Sequence, residues 1–155
     1  MLKKIAELVQ TQGHCVLATC GPASAGCAPH ASLMSCCPAP DGREFWLATL
    51  ADTRKYANLR ANPRASLLLD DRNSDRPGES RGGRPGLALT VEAELLPFAS
   101  AADEATARRA LLARHPALEG FLALRGVLLL RLVGLRYQLL SGLAEVFVWT
   151  PAEKP

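Results

Sequence analysis

The sequence predicts a mainly β fold, an antiparallel sheet or barrel with short helices at its flanks. Two patterns carry this expectation. From Cys15 onward, short runs of β-branched, aliphatic and aromatic residues alternate with clusters of Gly, Pro, Ser and Asp, as strands joined by tight turns do. Apolar residues at helical spacing are confined to a few brief segments. The chain has 155 residues, 48% of them apolar and 21% charged. Such a chain can bury about two-thirds of its unfolded surface. A disordered tail, a collagen-like fibre and an acidic solvating segment are excluded, and one domain over residues 1–155 is expected.

The elements follow in chain order. Residues 1–12 place Ile5, Leu8 and Val9 on one face, while Glu7 and Gln10 interrupt any continuous apolar stretch, which makes an amphipathic helix and not a signal peptide. Six or seven strands are expected, over residues 15–20, 30–36, 44–49, 65–70, 87–96, 127–139 and 144–149. Gly21, Pro22, Ser24 and Gly26 join the first two. Pro38, Pro40, Asp41 and Gly42 join the second to the third, so the strands read as a meander. A helix over 52–62 has Tyr56 and Leu59 on one face, Asp52 as its cap and Pro63 as its stop. Ser100 with Asp103 forms a capping box for a helix over 101–114, and Pro116 opens a further short helix reaching about residue 124. Residues 71–86 are polar, Gly or Pro, with Arg72, Arg76, Arg81 and Arg84 among them; they read as a solvated hairpin loop or, more sharply, as a lid over an anionic ligand.

Charge and cysteine content narrow the partners. Eighteen Lys and Arg against 15 Asp and Glu leave a surplus of three, which suits a small anion better than a nucleic-acid duplex. Only eight Phe, Trp and Tyr residues argue against a base-stacking platform, so no nucleic acid is expected. The five cysteines show no CxxC spacing and read as reduced, with no metal site. The longest apolar run, 126–140, is broken by Arg131 and Arg136 and is too short to span a bilayer. No membrane partner is expected, and a cytoplasmic location is.

The chemically informative stretch is residues 45–69, where a strand runs straight into a helix opening near Thr53. A helix N-terminus carries unpaired N–H groups and partial positive charge, yet Arg54 and Lys55 occupy its first turn. A phosphate held by backbone N–H groups, the Thr53 hydroxyl, a guanidinium and an ammonium would balance that charge. The plainer alternative is that Asp52 caps the helix and the two cations are solvated.

Thr49, then Thr53, Arg54 and Lys55, followed by Asn62, Pro63, Arg64, Ala65, Ser66, Leu67 and Leu68, resembles the pyridoxamine 5'-phosphate oxidase-like family of FMN-binding split barrels, with similarity over most of residues 14–98. The resemblance implies an antiparallel split β-barrel and FMN bound by Thr49, Thr53, Arg54 and Lys55, with Ala48 beside them. It also implies that the second strand, Pro29 to Met34, runs along the flavin ring and ribityl chain, with His30, Ala31 and Ser32 close to the cofactor. A homodimer with FMN at the subunit interface is implied too, and the strand over 127–139 is apolar enough to serve as its surface.

The departures matter as well. The oxidases carry a C-terminal Trp and an Arg-x-His cluster that grip pyridoxal phosphate; here Arg136, Tyr137 and Gln138 offer nothing equivalent, so vitamin B6 oxidation is not expected. The ending, 126–144, looks more like split barrels related to haem-utilisation proteins, some of which bind haem as well as or instead of flavin. The expected function is therefore an FMN-dependent oxidoreductase acting on an unidentified small molecule; the alternative is a non-catalytic flavin or haem binder. No catalytic side chain is assigned. His14 and Cys15 are adjacent on a strand and face opposite sides, which speaks against a shared metal; Cys36 and Cys37 read as small residues entering a turn, and His115 as a helix-end residue.

Overall fold

The computed structural model describes residues 1–71 and 86–152. The four arginines of the expected loop or lid lie outside the described residues. Eight strands form one antiparallel sheet: β1 (His14–Cys20), β2 (Pro29–Ser35), β3 (Cys37–Pro38), β4 (Glu44–Leu50), β5 (Arg64–Asp70), β6 (Leu87–Leu96), β7 (Val127–Ser141) and β8 (Glu145–Trp149). Among the described residues the α-helices are α1 (Leu2–Thr11), α2 (Arg54–Ala61), α3 (Ala101–Arg114) and α4 (Glu119–Leu122), with 3-10 turns at Ala23–Ala25 and Pro116–Leu118. Strand order is β2-β1-β5-β6-β7-β4-β3, and β8 pairs with β7 beyond the segment that β4 occupies.

The sheet curls until β2, at one edge, returns to contact β4 near the other. The chain itself closes the curl, because Cys36 alone separates β2 from β3. Its N–H donates to the Gly13 carbonyl (2.9 Å) and its side chain is buried. Period-two alternation sends Cys15, Leu17, Phe45, Leu47, Leu67, Leu69, Leu89 and Val91 into the barrel. Each fully buried Leu or Phe contributes about 2 kcal/mol of transfer free energy. Helix α1 packs Ile5, Leu8 and Val9 into the same core, the face expected from their spacing.

β7 keeps its apolar residues inward through an irregularity. Glu92 of β6 pairs with Arg136 while Ala93 pairs with Gly134, so Leu135 is an extra residue. The inward set therefore shifts from Leu130 and Leu132 to Tyr137, Leu139 and Ser141. Gly134 lies against the Tyr137 ring, where a Cβ would sit 2.6 Å from Cζ. The Tyr137 hydroxyl donates to the Gly42 carbonyl (2.8 Å), and its ring packs on Phe45 and Trp149. Burial, followed by nearby Asp41, pushes this phenol well above its usual range, so it stays a donor.

The outer face of β4 is covered by α3 and the segment after it, where Leu111 and Leu122 meet Trp46, Ala48 and Phe121. Ser100 caps α3 by accepting from the Asp103 N–H (3.1 Å) and donating to its carboxylate (2.8 Å). Ser100→Ala is expected to lower stability by about 1 kcal/mol, read by chemical denaturation.

Three sequence expectations change in detail. The strand count is eight, because Cys37 and Pro38, read as part of a turn, pair with Trp46 and Phe45. Helix α2 begins at Arg54 with Thr53 as N-cap, so Asp52 lies outside it and is exposed. The strand over 127–139 makes a poor dimer surface, because Leu130, Leu132, Tyr137 and Leu139 fill the core and Val127 and Leu129 pack under the helices.

Candidate functional site

Where the two edges of the curled sheet face each other, a cleft of about 330 Å³ opens. One wall is β2, with Leu33, Met34 and Ser35; the other is the end of β4, with Ala48, Thr49 and Leu50. Thr53 and Lys55 line one end, and Leu118 and Phe121 of the segment beyond α3 contribute an apolar rim. The position follows from topology, since a sheet that curls without pairing its edges leaves its gap between β2 and β4.

The polar end is built by the turn from β4 to α2. Alternation along β4 puts Thr49 on the face of Phe45 and Leu47, where it is buried. The turn is pinned by Ala51 N–H on the Gly126 carbonyl (2.9 Å) and Thr53 N–H on the Leu50 carbonyl (3.3 Å). The Thr53 hydroxyl also donates to the Leu50 carbonyl (2.9 Å) and lies 3.0 Å from the Thr49 hydroxyl, and Lys55 Nζ donates to Thr49 Oγ1 (3.5 Å). Two hydroxyls and an ammonium thus converge on one point.

Because its hydroxyl is committed to the turn, Thr53 makes no side-chain cap on α2, and the first turn of the helix holds no acidic residue. Its leading N–H groups lack an internal acceptor. Among the described residues, neither Arg54 nor Lys55 forms an ion pair, and the helix dipole adds further positive charge. Of the plainer alternative, the Asp52 cap is not formed, since Thr53 is the N-cap, whereas Arg54 is solvent-exposed as that reading has it. What remains is an electropositive point, rich in donors, at one end of an apolar slot.

Of the residues singled out by sequence, Ala48, Thr49, Thr53 and Lys55 line the cleft. Arg54 opens α2 beside them but is exposed and is not in the lining. His30, Ala31 and Ser32 sit earlier on β2, outside the lining; His30 Nε2 lies 3.2 Å from Ser32 Oγ, and Ala31 is exposed. Ser35, Leu50, Leu118 and Phe121 were not singled out. The apolar Leu118 and Phe121 just after the Pro116 helix start were the available signal, but only the fold brings them to β2.

A second hollow of about 260 Å³ lies outside the barrel between β4 and α3, and there Arg131 is held by Glu44 through two hydrogen bonds (2.6 and 2.9 Å). That guanidinium is already neutralised. The buried thiols of Cys36 and Cys37 are poor nucleophiles: a hydrogen bond with Cys15 and then burial push Cys36 well up, and burial pushes Cys37 up. Among the described residues no group of His, Cys, Asp and Glu is placed to hold a metal ion, and no helix is long and apolar enough to cross a membrane.

Comparison with known proteins agrees with this architecture. A haem storage protein from Vibrio cholerae superposes with a TM-score of 0.64 at 19% identity, over 94% of this chain and 92% of that one. A protein related to general stress protein 26, of the pyridoxinephosphate oxidase family, from Clostridium acetobutylicum, gives a TM-score of 0.67 at 16% identity, over 96% and 93% of the two chains. A haem-binding protein from Mycobacterium smegmatis gives 0.73 at 19% identity, over 94% of this chain and 57% of that one, so the chain spans little more than half of that relative. No curated protein sequence matches the chain. The sequence profile described as pyridoxamine 5'-phosphate oxidase matches residues 1–136. With the curled antiparallel sheet and its short helices, that match over most of the chain places it in the pyridoxamine 5'-phosphate oxidase-like family of split barrels.

Proposed function

We propose that the protein is an FMN-binding flavoprotein that transfers electrons or hydride between small molecules. One observation carries the reading: the uncapped N-terminus of α2, with the Lys55 ammonium and the Thr49 hydroxyl beside Thr53, forms an electropositive polar end to a slot walled by Leu33, Met34 and Phe121. A phosphate dianion suits the donors and an isoalloxazine suits the apolar walls. Bound FMN would supply the redox chemistry; the chain would position the ring, exclude water from one face and neutralise the phosphate. Arg54, at the start of α2, would add long-range attraction for the phosphate, and His30, Ala31 and Ser32, earlier on β2, would approach the rest of the cofactor. The protein as purified is expected to be yellow, to release FMN on denaturation, and to bleach with NAD(P)H or another donor. A colourless protein that stays colourless when FMN is added would defeat the reading.

The second reading is a carrier of flavin or haem without turnover, favoured by the haem-named relatives and by Met34, a thioether in the cleft wall. Against haem, no His is among the residues lining the cleft. A Soret band in the purified protein would establish it. A deazaflavin would share the phosphate end with FMN, and mass spectrometry of the released cofactor separates the two. We read the protein as a homodimer in the cytoplasm, without a nucleic-acid or membrane partner. Since β7 is spent on the core, the subunit surface is assigned to Leu33 (75% exposed), Leu143 (99%), Val146 and Val148.

A further inference from the structure

The five cysteines fall into two groups. Cys15, Cys36 and Cys37 are buried, whereas Cys20 is half-buried and Cys27 exposed. These last two bracket the connection between β1 and β2. Cys20 ends β1, and the chain then passes through the Ala23–Ala25 turn, closed by Gly26 (φ +74°) and by Cys27 itself (φ +49°). Positive φ is uncommon for a residue with a Cβ, and here it folds Cys27 back over the start of the loop. The Cys27 N–H donates to the Pro22 carbonyl (3.3 Å), and the Cys20 thiol donates to the Cys27 carbonyl (2.7 Å). The Cys20 sulfur thus lies against the backbone of Cys27. Two thiols are therefore held together at the surface on one short loop, apart from the cleft lining.

We propose that Cys20 and Cys27 are an oxidation site that closes to an intramolecular disulfide when the protein meets a hydroperoxide. The exposed sulfur reacts first. The Cys27 thiolate attacks one peroxide oxygen and the O–O bond breaks; the other oxygen leaves with a proton as water, and Cys27 becomes a sulfenic acid. The Cys20 sulfur then attacks the sulfenic sulfur. The S–S bond forms, the S–O bond breaks, and the Cys20 proton leaves with the hydroxyl as a second water. Overall two thiols lose two electrons and two protons, and one hydrogen peroxide is reduced to two waters. Burial and the adjacent Cys27 thiol raise Cys20, which makes it the less reactive of the two at the first step.

The loop closes on itself through the Gly21 N–H on the Ala28 carbonyl (3.2 Å), and its tie to α2 runs through Asn58, which donates to Thr19 (3.1 Å), one residue before Cys20. The cross-link would thus form beside the helix that furnishes the polar end of the cleft, whichever ligand the cleft takes.

The test counts thiols. The whole protein is treated with hydrogen peroxide in modest excess, quenched, denatured, alkylated and weighed intact. Untreated protein should take up five alkyl groups, treated protein three, and treated protein reduced with dithiothreitol five again. No Lys or Arg separates the five cysteines, so fragmentation of the single tryptic peptide must place the cross-link between positions 20 and 27. Cys27→Ser, which leaves the core untouched, should keep all four of its thiols through the same treatment. Retention of five alkylatable thiols after oxidation, or loss of a pair of thiols that persists in Cys27→Ser, would overturn the proposal.

Discussion

Replacing Arg54 and Lys55 together by alanine is expected to weaken FMN binding about 100-fold, equivalent to about 2.7 kcal/mol. Most of this loss belongs to Lys55, whose ammonium reaches the Thr49 hydroxyl inside the cleft, while Arg54, exposed at the start of α2, contributes only long-range attraction. The same change should not destabilise the folded protein. Both cations stand in the first turn of α2, against the positive end of its dipole, and that turn holds no acidic residue. Removing them relieves unfavourable charge by a few tenths of a kcal/mol. Flavin titration and thermal denaturation of the same samples check both halves: affinity falls while the melting temperature holds or rises slightly. A melting temperature that falls with the affinity would mean that these residues serve the fold.

Gly134→Ala is expected to cost about 3 kcal/mol. With two nearby ring atoms of Tyr137 at 2.6 and 2.9 Å from the new carbon, the ring must move, yet it is clamped by the Gly42 carbonyl and by Phe45 and Trp149. The glycine is required by this close approach and by the extra residue that realigns β7. For a chain of this size the loss corresponds to a fall of about 10 °C in melting temperature. Tyr137→Phe in the Gly134→Ala background removes one of the colliding atoms, so the double variant should be less destabilised than the sum of the single ones. Strict additivity in that cycle would contradict the close approach.

Much of the architecture could be read from local chemistry. The β6 bounds and those of α3 agree with the sequence reading because a polar boundary, a capping serine and a stopping proline define them without outside help. The start of α2 was read one residue early because Asp52 and Thr53 are both competent caps; the Thr49 hydroxyl and Leu50 carbonyl draw Thr53 into the turn and settle the competition. β3 was missed because two residues flanked by prolines carry no periodicity; only pairing with β4 makes them a strand. Thr53 and Lys55 were singled out because charge misplaced at a helix start is visible in a string of letters, and Thr49 through the family resemblance; that all three line one cleft is what the fold adds. Leu118 and Phe121 were not, since nothing within 60 residues of β2 announces that their segment returns to it. The apolar character of 127–139 was correctly read, but composition does not tell a strand filling its own barrel from one facing a partner, and here Leu130, Leu132, Tyr137 and Leu139 turn inward.

The proposal that the cleft holds a phosphate at the start of α2 is tested most directly by comparing FMN with riboflavin, which lacks only the phosphate, in parallel fluorescence titrations of the unmodified protein. Donors at α2 that recognise a dianion should make FMN bind at least about 100-fold more tightly, since charge-assisted hydrogen bonds to the phosphate supply most of the difference. Equal affinities for the two would show that the start of α2 holds no phosphate, and the assignment of this cleft would have to be abandoned.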